Sequence, residues 1–489
     1  MSENISIKSD GIGVARGQAV VEARSSYDGA CRILSVSATA ALSPSEVFAQ
    51  EARYQGKVTF DCLALIGERV ECISAVAEFS DKITSPVIAA GSLISLTPDI
   101  INVEASAEGG IIKAVAVVDV TATVVASNEV ACLAAPDEGV YANYREVEYC
   151  TLAAESNEVV YVSDRASAKY ADILYTTARA AVSGVEAADG EIKVSGNVYF
   201  TTIVREDDGM LASVRTVSPF VKSVPLLGVN ADNTATASVT VGECGGVPAA
   251  EDGAIELAAT LNLCVRAFAC RKVDAINDVF CADNEIEVKN VDIKTYSIDP
   301  PVTVVDTVDG QVTLPADRLA ADTVLCVTGT FCTLTSVTVD DKRVNAEGLV
   351  GGDIVYYNAE TNGVDSLAFR LPFSIPIAVH TAAQDVTAVA VVTDVNVRVR
   401  RESVFDIKAD VAFTLNMGGA GECVLVQSVA CGAPIERPDA SVIIHIAKKG
   451  ETLWQAAKAL GCAPDKVAAQ NDADAPYAGG ERLINFCKR

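Results

Sequence analysis

Three stretches of this 489-residue chain progress alike, and that recurrence restricts the fold more than any single segment does. Each stretch opens on a short apolar run, at Ile33–Thr39, Ile173–Arg179 and Val324–Thr330. About 23 residues on, each reaches a glycine followed two positions later by valine: Gly56 and Val58, Gly196 and Val198, Gly348 and Val350. A further 23 to 25 residues bring Phe79, Phe220 and Phe373, each read as lying near a turn. A period this long is the size of a domain rather than of a solenoid repeat.

The local period inside each stretch is two. Residues 395–400 alternate valine with asparagine or arginine, and 235–241 alternate alanine or valine with threonine or serine. Such alternation puts one face on a core and the other in solvent, and β-branched side chains suit a half-buried pleated surface. Gly and Asp clusters at Glu206–Gly209 and Val308–Gly310 read as turns. Leu257–Val265 has helical propensity, but its neighbours favour a strand. The expected fold is mainly β: three consecutive antiparallel β-sandwich-like domains, then a small α+β module. The divisions are 1–140 (an N-terminal segment and the first β domain), 141–290, 291–432, a linker over 433–440, and the module at 441–489.

The module reads as strand, helix, helix, strand. Residues 442–446 form an apolar strand, and Thr452 followed by Gln455 is a Thr-x-x-Gln capping box that starts a helix. Leu453, Ala456, Ala457 and Leu460 share one face of it, and Gly461 supplies a left-handed stop. Pro464 suits the first turn of a second helix, with Asp465 near its positive end, and Asn471 closes it.

Lys449–Trp454, Asn471 and the final 480–485 segment together resemble a LysM module, with Glu451 where aspartate is commoner. The resemblance implies a shallow groove between two loops that takes N-acetylglucosamine polymers or a protein. Its candidate residues are Gly450, Glu451, Thr452, Leu453 and Trp454 on one loop, and Tyr477, Ala478, Gly479 and Gly480 on the other, with Asn471 nearby. Trp454, the single tryptophan, reads as partly core or as a sugar-stacking platform. The threefold body, best in the third copy through Gly348–Val350, Ile354–Tyr357 and Leu371–Ser374, resembles the SPOCS domain of spore-coat morphogenetic proteins in endospore-forming Firmicutes. The first and second copies depart from it at Ala77–Phe79 and Ser218–Phe220.

Charge and composition narrow the function classes. The net charge of −27 repels nucleic acid. From Ser441 onward seven Lys/Arg face five Asp/Glu, so a slightly basic head sits on a strongly acidic body. Two partner surfaces, or simple solubility, account for that split. No apolar run reaches the ~18 to 20 residues of a membrane span, and the first ten residues lack the basic start and apolar core of a secretion signal. The chain is therefore expected to stay in the cytoplasm, which for a spore-coat protein is that of the mother cell, at the forespore surface.

Fifteen cysteines contain no Cys-x-x-Cys pair, and those in apolar strands, such as Cys62 and Cys264, read as small buried hydrophobes. The two histidines, His380 and His445, lack partners at zinc spacing. Phosphate-loop, nucleophile-elbow and zinc-protease motifs are absent, so no catalytic residue, metal or cofactor is assigned. Paired carboxylates remain a third, glycosidase-type alternative. The resemblance implies a non-enzymatic structural adaptor in endospore envelope assembly, which binds coat morphogenetic proteins and is a possible homo-oligomer. The alternative is a peptidoglycan-binding cell-wall protein.

Overall fold

The computed structural model describes residues 4–250, 253–316, 318, 320–340, 342–379, 385–401, 403–436, 441–471 and 475–486. The chain is mainly β, in antiparallel sheets, as the alternation implied. In the first unit β1 (Asn4–Ser26), β6 (Ile111–Leu133) and β5 (Ser95–Glu108) form one sheet with β6 central. The meander β2 (Cys31–Phe48), β3 (Glu51–Ile66) and β4 (Arg69–Thr84) forms the other. The two sheets enclose one core, to which β6 gives Ala114, Ala116, Val118, Val120, Ala122 and Val124, every second residue.

The arrangement recurs. In the second unit β7 (Val140–Ser167), β12 (Ala254–Cys281) and β11 (Thr234–Pro248) face the meander β8 (Asp172–Ala188), β9 (Glu191–Arg205) and β10 (Leu211–Pro225). In the third, β19 (Val404–Pro434) is central and β18 (Asp385–Arg401) pairs with it, facing β15 (Thr323–Asp340), β16 (Arg343–Asn358) and β17 (Gly363–Ala378). The place of β1 and β7 is here shared by β13 (Asn284–Ile298) and β14 (Val302–Thr313), both paired with β19. Pro300 and Pro301 lie in the break, where missing N–H groups cannot join a ladder. Residue 140 is the first of β7, whereas the expected division at 290/291 falls inside β13 and that at 432/433 inside β19.

The repeated glycine and phenylalanine are cross-strand partners. Gly56 pairs with Phe79, Gly196 with Phe220 and Gly348 with Phe373. A Cβ on these glycines would sit 2.2, 2.6 and 2.8 Å from the partner ring, so the glycine is the floor on which the ring lies. Two turn expectations are corrected here. The phenylalanines lie inside β4, β10 and β17, not beside turns, and Pro219 and Pro372 are tolerated because β10 and β17 are sheet edges. Val308–Gly310 lies inside β14, where Gly310 leaves room for Leu371, whose Cδ2 would be 2.4 Å from an added Cβ. Glu206–Gly209 does form a turn, with Gly209 at φ +86°.

A second repeated device faces away from the cores. β2, β8 and β15 each carry a bulge at the same place, between Ile33 and Ser35, Ile173 and Tyr175, and Val324 and Cys326. The skipped residues are Leu34, Leu174 and Leu325. A bulge re-aims a side chain, and all three leucines enter one apolar cluster with Leu63, Ile203 and Val355 from the neighbouring central strands. Each unit thus supplies equivalent residues to a shared contact, and the chain is a threefold assembly made within one polypeptide.

The long strand pairs repeat this at their other ends. Ile7 and Cys132, Val147 and Ala275, and Ile293 and Leu425 form a second layer, one pair from each unit. Ile12, Leu152 and Ile298 meet in a third, with Cys150 and Phe268. Buried polar bonds cross between units: Asp10, which also accepts from Ser127 Oγ of its own unit, accepts from the Leu152 N–H at 2.9 Å, and Ser9 Oγ accepts from the Tyr296 N–H at 2.8 Å. Between the bulge layer and the strand-end layers lies a cavity of about 1000 Å³ walled by all three units.

Cys62 and Cys264 are buried and free, as read from the sequence. Cys150 and Cys270, a register pair on β7 and β12, are instead joined as a disulfide. That pairing was not expected from sequence, because 120 residues separate the two.

Candidate functional site

The C-terminal segment folds as β20 (Val442–Ile446), α1 (Leu453–Leu460), α2 (Pro464–Gln470) and β21 (Arg482–Phe486). Its local rules are those read from the sequence. Thr452 caps α1: its Oγ1 accepts from the Gln455 N–H at 3.3 Å, and Gln455 Oε1 accepts from the Thr452 N–H at 2.9 Å. Ala456, Ala457 and Leu460 are buried, Leu453 is half-buried against them, and Gly461 ends the helix at φ 60°. Pro464 occupies the first turn of α2 with Asp465 beside it.

The two candidate loops come together and bond to each other. The Gly450 N–H donates to the Tyr477 carbonyl at 2.8 Å, and the Tyr477 N–H donates to the Glu451 carbonyl at 2.9 Å. The Ala478 and Gly479 N–H groups donate to the Glu481 carboxylate at 2.8 and 2.7 Å, and the Gly480 N–H reaches the Ala447 carbonyl. Gly479 and Gly480 adopt φ +104° and +98°, and a Cβ on Gly479 would press on the Lys449 backbone at 3.0 Å. Tyr477 is buried. Asn471 ties α2 to β21, donating to the Val467 and Ile484 carbonyls and accepting from the Ile484 N–H at 2.7 Å. The part of the second loop at 472–474 lies outside the described residues.

Glu451 has a defined role in this arrangement. Its carboxylate accepts from the Lys448 N–H at 2.6 Å and lies 2.8 Å from His445 Nε2. The Lys448 N–H, aided by His445 and opposed by some burial, holds this carboxyl below its usual range. His445 is therefore a structural partner of the loop; His380 lies outside the described residues.

Trp454 is partly core, one of the two readings the sequence offers: it packs half-buried against a cluster of Ala456, Ala457, Leu460 and Tyr477 that Phe280 of the body joins. Its indole Nε1–H donates to Asp278 Oδ2 at 2.8 Å, and its ring lies edge-on to Phe280 at 4.9 Å. Phe280 in turn contacts Tyr141 at 5.1 Å, and Lys458 Nζ reaches both Asp278 oxygens at 2.7 and 2.9 Å. Burial pushes the Asp278 carboxyl up, but bonds from Lys458 and Trp454 outweigh it and hold it below its usual range. Trp454 and Lys458 sit four apart on α1, on one face, and together clamp the segment to the end of β12. Sequence reading missed Asp278, Phe280 and Tyr141. The only trace they leave is an apolar strand end interrupted by one carboxylate.

Comparison with protein-family models, curated proteins and solved structures gives no match.

With α1 turned to the body, the opposite face of the β20–β21 pair is open. Val442, Ile444, Ile446 and Phe486 are 41 to 63% exposed, and Val442 lies across from Phe486 and Ile444 from Ile484. This is one continuous apolar strip on a segment with a small positive charge, a usual mark of an interaction surface. Among the described residues no helix is long and apolar enough to cross a membrane, and no cluster of three or more metal-ligating side chains occurs.

Proposed function

We propose that this chain is a structural adaptor of the endospore envelope: a SPOCS-like threefold scaffold carrying a LysM-like head that docks a coat morphogenetic protein from the mother-cell side. The observation that carries this reading is the exposed apolar strip of β20 and β21 on a head clamped to the scaffold by Trp454 and Lys458. A head held at a fixed angle presents that strip at low entropic cost to a partner. The scaffold supports the same reading, since three units sharing buried layers form a stiff body rather than beads on a string.

The alternative, binding of peptidoglycan through the LysM-like loops, draws on the adjacency of Gly450–Trp454 and Tyr477–Gly480. Their backbone donors are already bonded within the segment, and Trp454 faces Phe280, which favours protein docking over sugar.

Capture experiments from sporulating cells compare the full chain with a chain lacking residues 441–489. Loss of coat-protein capture and of forespore localisation on deletion is expected; unchanged capture and localisation would sink the docking role. Sedimentation with purified peptidoglycan, abolished by Thr452→Ala without loss of folding, would instead establish the alternative.

A further inference from the structure

The cavity between the three units is lined by charged side chains of both signs, among them Arg179 and Asp99, which do not reach each other. Arg179, on β8, lines it. Among the described residues its guanidinium bonds only to Thr330, donating from Nη1 to Oγ1 at 2.9 Å and from Nη2 to the carbonyl oxygen. Five N–H donors belong to a guanidinium, so three stay uncommitted, and no carboxylate lies within ion-pair distance among the described residues. An arginine without a carboxylate inside a protein of net charge −27 is unusual, because interior charges are normally paired.

Asp99, on β5, lines the same cavity. It sits across the ladder from Asp119, and like charges placed opposite each other repel. Asp119 accepts from Gln18 Nε2 at 2.7 Å, whereas Asp99 has no hydrogen-bond partner among the described residues. Asp99 and Arg179 are near enough to perturb each other's ionisation. The volume of about 1000 Å³ is at the upper end for small-molecule sites.

We infer that the cavity binds a small zwitterion, whose carboxylate is held by Arg179 and whose ammonium group is held by Asp99 with Asp119. Arg179 is suited to the anionic end, because a guanidinium fork receives a carboxylate through two parallel bonds. The Asp99–Asp119 pair is suited to the cationic end, because an ammonium group between them relieves their repulsion. A ligand with only one charged end leaves one of these requirements unmet, and the remaining charge opposes it. The site takes a wall from each unit, so it exists only in the assembled chain. The inference does not depend on the adaptor role of the C-terminal head.

Isothermal titration of the full chain tests this with glycine, L-glutamine and γ-aminobutyrate, using propionate and propylamine as single-ended controls. At least one zwitterion is expected to bind, and at least tenfold more tightly than either control. Arg179→Gln and Asp99→Asn are each expected to weaken it at least tenfold. Asp99→Asn removes no hydrogen bond of the folded chain, so it stays informative if Arg179→Gln fails to fold. The inference is overturned if no zwitterion binds, if propionate binds as tightly, or if Asp99→Asn leaves the affinity unchanged.

Discussion

Gly56, Gly196 and Gly348 show how one missing methyl group sets a repeat. Each has ordinary extended backbone and lies under a phenylalanine from the next strand. Replacing Gly196 by alanine puts a Cβ 2.4 Å from the Ala181 carbonyl oxygen as well as against Phe220. Overpacking of this kind costs about 1–3 kcal/mol, so the urea midpoint of Gly196→Ala is expected to fall, with the slope unchanged. Asp353 provides a pH test. Burial pushes its carboxyl up to about 6, although Ser35 Oγ donates to it at 2.8 Å. The unfolded value is about 3.9, so between these limits the folded chain holds more protons than the unfolded chain. Stability from this group therefore falls as pH rises from about 4 to about 6 and is flat above. Thermal melts of Asp353→Asn should show a weaker pH dependence across that window than the parent; an identical profile would place Asp353 outside the effect. Asp99 is raised to about 6 as well, by burial and then by Asp119, and contributes with the same sign.

At the scale of elements, the bulges on β2, β8 and β15 matter more than the regular ladders. A strand of strict period two sends alternate residues inward to its own core. One extra residue lets Leu34, Leu174 and Leu325 leave that pattern and join the units. Leu34 is 4% exposed, and Leu34→Ala is expected to lose about 2–5 kcal/mol, read as a lowered melting temperature for the whole chain. Loss confined to the first unit, seen as a separate early transition, would argue against the shared layer. The capping box of α1 was legible in the sequence because Thr452 and Gln455 are neighbours, and it formed as read. The Phe79, Phe220 and Phe373 strands were read as turns, because proline and serine beside them imitate turn chemistry while edge strands tolerate both.

At the scale of the molecule, the C-terminal head is fastened to one unit of a threefold body. The counterparts of Asp278 and Phe280 are not present at the ends of β6 and β19, so the docking point is unique. Since Trp454 is the single tryptophan, its fluorescence reports docking directly. Asp278→Ala is expected to shift the emission to the red, by removing the acceptor of its Nε1–H and the Lys458 ion pair while leaving α1 folded. High salt should produce a weaker shift in the parent chain, because the Asp278–Lys458 pair is part-exposed and screened. An emission maximum that stays fixed under both conditions would exclude the clamp.

Sequence by itself determined what depends on neighbours along the chain. The period of two makes strands, Thr452 with Gln455 starts a helix, and the spacing of glycine and phenylalanine announces three similar units. It also marked the Gly450–Trp454 and Tyr477–Gly480 loops, although not that they bond to each other. Tertiary structure alone decided what depends on distant segments sharing space. The Cys150–Cys270 bond, the seat of Trp454 on Phe280, the three-leucine layer and the Arg179–Thr330 contact in the central cavity all join residues more than a hundred positions apart. Alternation says only which face of a strand is apolar; which surface covers it is settled by the packing of whole units against one another.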